Sequence, residues 1–155
     1  MNYVYALAVG IGIVAGLRSL TAPAMVSWAA YLGWLNLENS PLAFMGSTAA
    51  VAIFSSLALV EFVGDVLPTT PSRTSAVPLI ARIVMGGLSG ACLCASGGLS
   101  LPAGAALGAI GGVAGAFGGY QARTRLTKGL GAKDMFVGIS EDLVAIGLAY
   151  LIVSP

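Results

Sequence analysis

Six ionisable residues stand within or at the edge of apolar sequence: Arg18, Glu61, Asp65, Arg82, Glu141 and Asp142. Glu61 and Asp65 are four residues apart, on one face of a helix, where like charges repel unless a cation stands near. Glu141 and Asp142 open the last apolar segment, where a helix N-terminus favours anions. A charge at membrane depth costs about 2.5 to 3.5 kcal/mol on insertion scales and tends to mark function. The chemistry open to this set is binding of an ion or small polar solute, with Ser19, Thr21, Ser55, Ser56 and Ser89 as further hydroxyl ligands. The opposing reading is a set of structural ion pairs that snorkel to the headgroups and bind nothing. Serines in such helices also bond their own backbone carbonyls.

Other chemistries find little support. Histidine is absent, which removes the usual general base, haem ligand and pH switch, so neither a metal nor a cofactor is expected. Cys92 and Cys94 lie two apart in an apolar helix and point in different directions, which reads as inert packing. Acyl or phosphoryl transfer needs a nucleophile with a positioned base, and Ser19 with Asp65 would be an improvised pair, so the chain is not expected to be an enzyme. With 7 Lys and Arg against 6 Asp and Glu there is no basic excess to suggest nucleic acid.

The elements that position these residues follow from the solvent. Only 8% of residues are charged and 57% are hydrophobic, against about 25% charged in an ordinary soluble domain. A bilayer core forbids unpaired backbone groups, so stretches this apolar must be helices or a closed barrel. Barrel strands alternate polar and apolar residues, whereas 48–60 and 101–119 are continuously apolar or small. The expectation is one all-α domain over residues 1–155, a polytopic transmembrane helix bundle of about six spans.

Charge, Pro and Gly clusters divide the chain into segments 3–17, 20–35, 42–64, 76–96, 101–120 and 135–153. The first two are short, and Arg18-Ser19-Leu20-Thr21-Ala22-Pro23 between them is a tight turn or a break within a discontinuous helix pair. Pro23 fits the first turn of a helix capped by Ser19 or Thr21. Ala22-Pro23-Ala24 has the small-x-small form of a signal cleavage site, but no cation precedes the apolar run, so it reads as the first membrane helix.

Cations flanking membrane helices stay on the cytoplasmic side. The 121–134 connection holds Arg123, Arg125, Lys128 and Lys133 and is therefore expected in the cytoplasm. Counting back from it with six spans brings Arg18, Arg73 and Arg82 to the same side, and Glu38, the 97–100 connection and both chain ends to the outside. Three spans plus three would give inverted halves. The charges do not superpose by order, since Arg18 ends the first span while Arg82 begins the fourth.

The fifth segment carries two adjoining stripes without side chains, Gly104, Gly108 and Gly112, and Gly111, Gly115 and Gly119. Gly12 with Gly16 and Gly86 with Gly90 repeat the spacing of four, which lets helix backbones approach closely in lipid. Internal packing is the plain reading; a homo-oligomer interface and a glycine-lined passage are the others.

The residues GLRSLTAP over 16–23, Glu61-x-x-x-Asp65-x-x-Pro68, Pro78-x-x-x-Arg82, the glycine span ending in Tyr120-x-x-Arg123, and Glu141-Asp142 together make the chain similar to a bacterial membrane family catalogued as domain of unknown function 4126. The likeness covers nearly the whole chain. It implies a small polytopic protein, here expected in the bacterial inner (cytoplasmic) membrane, and supplies neither a substrate nor a catalytic role.

Two functions compete. One is a transporter or channel-like protein that binds its ion or solute at the cytoplasmic-side carboxylate and arginine cluster. The other is an accessory or scaffold subunit that packs against a larger membrane complex through its glycine faces. Membrane lipid is the expected partner in both.

Overall fold

The computed structural model describes residues 2–38, 40–66, 76–129 and 134–154. Among them are six α-helices and no strand: α1 (Asn2–Leu17), α2 (Thr21–Tyr31), α3 (Thr48–Val66), α4 (Ala76–Ser96), α5 (Leu101–Gly129) and α6 (Asp134–Val153), with a 3-10 turn at Ala43–Gly46 before α3.

Local chemistry fixes most of the ends. α2 stops at Tyr31, short of the expected residue 35, because Gly33 turns the chain at φ +85°. Gly33 then donates to the Ala30 carbonyl and Trp34 to that of Ala29, which closes the helix with a glycine in the left-handed region. Gly98, at φ +71°, ends α4 the same way, with Gly98 bonded to Ala95 and Leu99 to Cys94. α3 begins at Thr48 rather than near residue 42, because the Ser47 hydroxyl accepts the Ala50 N–H at 3.1 Å and sets the start of the helix. The expected 121–134 loop is also corrected. α5 runs on to Gly129, since Gln121 to Lys128 contains no Pro or Gly and is rich in good helix formers.

Successive helices alternate in direction. Trp28 of α2 donates to Ser55 of α3 while Leu20 meets Glu61, so those two are antiparallel. Gly10 of α1 lies against Ile152 of α6 while Arg18 meets Asp142, so those are antiparallel too. α1 and α5 run parallel, with α4 antiparallel to both. One end of the bundle therefore collects the end of α1, the end of α3 and the starts of α2, α4 and α6. The other carries the α4–α5 turn and the segment 32–47.

At the centre α1, α4 and α5 meet with almost no side chains between them. Gly108 is the crossing point. Methyl groups built on Gly12 of α1 and on Gly86 of α4 would both run into its carbonyl oxygen. A second layer, α2 with α6 and the 3-10 turn, is packed by Val14, Val26, Met45, Ala145 and Ala149. Cys92 is a buried, free thiol within this packing, and Cys94 is one in a separate cluster with Val4 and Ala8.

The perimeter is apolar. Leu59, Val60 and Val63 of α3 and Leu143 and Leu151 of α6 are each more than 60% exposed. By length and composition two helices, Val77–Ser96 and Leu101–Ala122, suffice to cross a membrane; Tyr3–Leu17 and Thr48–Val63 are shorter apolar stretches.

Candidate functional site

Arg18 follows the last residue of α1, its N–H still bonded to the Val14 carbonyl at 2.8 Å. A cation there complements the negative end of the helix. Its side chain is 1% exposed, forms an ion pair with Asp142 of α6, and places its guanidinium carbon 5.5 Å from the centre of the Phe62 ring. That ring supplies a cation–π contact in a place where water has been removed.

Arg82 reaches the same helix end from α4. Its Nε donates to the Gly16 carbonyl at 2.8 Å, and one terminal nitrogen stands 3.9 Å from Glu61 Oε1. Two guanidiniums thus serve the carbonyl end of α1.

Glu61 of α3 serves the opposite pole, the start of α2. Its Oε1 accepts the Ser19 N–H at 2.9 Å and the Ser19 hydroxyl at 2.7 Å, while Oε2 accepts the Leu20 N–H at 2.9 Å. This corrects the expected capping of α2 by Ser19 or Thr21. The capping position is Leu20, Thr21 is the first helical residue, and the missing acceptor comes from α3. Pro23 does lie in the first turn.

The turn between α1 and α2 is consequently held between opposite charges, with arginines at the negative helix end and a carboxylate at the positive one. At about 1.5 Å rise per residue, Glu61 lies ~8 Å, Arg82 ~9 Å and Asp142 ~12 Å inside the nearer ends of their helices. The network is set within the bundle rather than on its rim.

Four of the six charged residues singled out from sequence, Arg18, Glu61, Arg82 and Asp142, are therefore brought together. Glu141 is the partly exposed neighbour of Asp142. The side chain of Asp65 lies outside the described residues, as do the side chain of Arg123 and all of Arg73 and Lys133. Arg125 and Lys128 are exposed on the projecting part of α5. Of the hydroxyls, Ser19 joins the network, Ser55 accepts from Trp28 at 2.8 Å, and Ser56 is exposed. Thr21 and Ser89 are buried with no hydrogen-bond partner among the described residues.

Gly104, Gly108, Gly111, Gly112 and Gly115 all face backbone of α1 or α4, and Gly119 is buried. A methyl on Gly112 would lie 2.7 Å from the Arg82 carbonyl oxygen, so the glycine packing also sets how close α4 brings Arg82 to the site. Among the described residues no group of three His, Cys, Asp or Glu is arranged to hold a metal.

Sequence reasoning missed the Ser19 and Leu20 N–H pair and the Phe62 ring. The turn offers no acid of its own to the positive end of α2, which signals a borrowed carboxylate. Spacing does not say which of the acids on α3 and α6 supplies it.

Two cavities, of about 510 and 440 Å3, lie at the opposite end of the bundle. Tyr31, Gly33, Glu38 and Ser47 line the first, and Ser40, Ser96 and Leu101 the second, with Asn36 on both.

The family model described as Domain of unknown function (DUF4126) matches residues 5–154. The chain belongs to this family. In the DUF4126 chain the segments that carry the resemblance supply Arg18, Ser19, Glu61, Arg82 and Asp142, the side chains that meet in the network. No curated protein and no solved structure matches the chain.

Proposed function

We propose that this DUF4126 protein is a multi-pass membrane protein of about six spans that binds an ion or small polar solute at the buried arginine and carboxylate network and moves it across the bilayer. The membrane reading rests on the exposed leucines and valines of α3 and α6, the spans of α4 and α5, and the alternation of helix directions. A patch of this extent on a water-soluble monomer would be an aggregation liability. Arg125 and Lys128 on the projecting part of α5 orient the charged end toward the cytoplasm of a bacterial inner membrane, with both termini outside.

One observation carries the solute-binding reading. Arg18, 1% exposed, and Arg82, 5% exposed, sit among carboxylates from α3 and α6 well inside the helix ends. Buried ion pairs add little net stability over apolar side chains of similar size, whereas charges at membrane depth recur on solute and ion pathways. The short α1 and α2, whose inner ends point their dipoles at this network, have the form of a discontinuous helix pair at a transport site. The glycine faces that motivate a scaffold role are covered within the chain, which weakens that alternative.

Reconstitution in liposomes tests the proposal against a panel of inorganic ions, small carboxylates and small cations. Uptake of at least one solute above empty vesicles is expected, with loss in Glu61→Gln and Arg82→Gln at equal insertion. Uptake by no solute, or uptake indifferent to both substitutions, would reject it. Recovery of a stoichiometric partner in mild detergent alongside absent uptake would install the accessory-subunit reading.

A further inference from the structure

α5 meets α1 and α4 through its glycines and turns its remaining face outward. One exposed stripe runs along that face through positions 106, 110, 113, 117, 121, 125 and 128, at the three- and four-residue intervals of a helix. Its first part is apolar: Ala106, Ile110, Val113 and Phe117, with Ile110 61% and Phe117 45% exposed. Its end is cationic, because Arg125 and Lys128 fall on the same face. Beside Phe117, the exposed Ala114 and Gly118 leave a shallow groove, and a methyl built on Gly118 would meet nothing within 4 Å.

We propose that this stripe binds an anionic phospholipid, whose acyl chains lie in the groove along Phe117 and Val113 and whose phosphate is held by Arg125 and Lys128. The proposal rests on the membrane part of the proposed function and is independent of solute transport. The depths agree. The apolar run Leu101–Ala122 is about 33 Å long at 1.5 Å per residue, close to the ~30 Å of a hydrocarbon core. Arg125 then stands about 4.5 Å and Lys128 about 9 Å beyond its end, against a headgroup layer about 5 to 8 Å deep, and the lysine stem can bend back into that layer. Charge selects the lipid. The 121–134 segment carries four cations, Arg123, Arg125, Lys128 and Lys133, against the single acid Asp134. Such a segment favours a headgroup with net negative charge over a zwitterionic one, whose ammonium it repels.

A second copy of the chain suits this face less well. Two copies inserted in one orientation about a two-fold axis normal to the membrane bring each position opposite itself. Arg125 and Lys128 would then meet their own kind, which a lipid phosphate avoids.

Phe117→Trp, in a full chain whose own Trp28 and Trp34 are replaced by phenylalanine, places a fluorophore on the stripe. The protein is reconstituted in phosphatidylcholine vesicles holding a minor fraction of phosphatidylglycerol with brominated acyl chains, and quenching is compared with that by brominated phosphatidylcholine at the same fraction. The ratio of association constants should favour the anionic lipid at least about fivefold, the worth of one cation at a membrane surface. Arg125→Gln with Lys128→Gln should bring the ratio close to unity and leave quenching by phosphatidylcholine unchanged. Leu143→Trp, at a 67% exposed position on α6, is the control and should show no preference. If the background without native tryptophans does not fold, the parent chain in detergent is titrated with phosphatidylglycerol. Saturable thermal stabilisation, lost in the double glutamine variant, then reads the same preference. The site is refuted if Phe117→Trp shows no preference, or if Leu143→Trp shows an equal one. Quenching at Leu143→Trp with none at Phe117→Trp by either lipid would also refute it and give the face to a protein, a second copy if the cross-linked mass doubles. Quenching at neither position would reject the membrane reading itself, an outcome distinct from quenching without preference.

Discussion

Arg18, just beyond the end of α1, is ion-paired with Asp142 inside α6, so one contact ties together the first and last helices of the chain. The arginine is 1% exposed and its partner 22%, so removal of the carboxylate takes an ion-pair partner from a charge that water cannot reach. Asp142→Ala should therefore destabilise the fold by about 3 kcal/mol, toward the lower end of the range for breaking a buried pair. Replacing both, as Arg18→Met with Asp142→Leu, should recover most of that loss. Unfolding in mixed micelles measures both, and a double variant no more stable than the single one would show that the pair is not the source of the cost.

The crossing at Gly108 should tolerate no side chain. Gly108→Ala pushes a methyl against the Gly86 carbonyl, and Gly12→Ala pushes one against Gly108. Each is expected to cost about 1–3 kcal/mol or more through overpacking. Gly118→Ala and Gly147→Ala meet nothing within 4 Å and should be neutral or stabilising by up to about 1 kcal/mol. Thermal midpoints of the four variants decide, and equal effects at Gly108 and Gly118 would contradict the packing.

Ser47 sets the start of α3 through its bond to the Ala50 N–H. Ser47→Ala should cost about 1 kcal/mol, and Ser47→Asp should retain the cap. The same unfolding assay reads this, with no change in solute binding expected at the far end of the helix.

Sidedness can be checked with cysteines. Cys92 and Cys94 are both 0% exposed and should resist a membrane-impermeant maleimide in the folded chain. Cysteines placed at Lys128 and Glu38, both exposed and at opposite ends, should label from the cytoplasmic and outer sides respectively. Labelling of both from one side would undo the alternating arrangement.

The sequence made the ends of α4 legible, because Gly97 and Gly98 close its far end and polar residues precede Ala76. It also grouped Arg18, Glu61, Arg82 and Asp142 at one end, since helix count and charge sidedness suffice for that. The pairing within the group was not legible. Whether Arg18 meets Asp142 or Glu61 depends on how far each helix is rotated about its axis, which is set by glycine contacts among three helices far apart in sequence. α5 outruns the expected boundary at residue 120 for a different reason, because Gln, Arg and Lys are polar enough for a loop yet favour helix nearly as well as alanine or leucine do.

The continuity of α5 couples two distant places mechanically. From the Gly108 crossing to Lys128 it is one helix, and its last eight residues before Gly129 hold neither proline nor glycine to absorb a twist. Any rotation that α1 or α4 imposes on α5 at that crossing is carried along the helix as along a shaft, and Arg125 and Lys128 would sweep through the same angle.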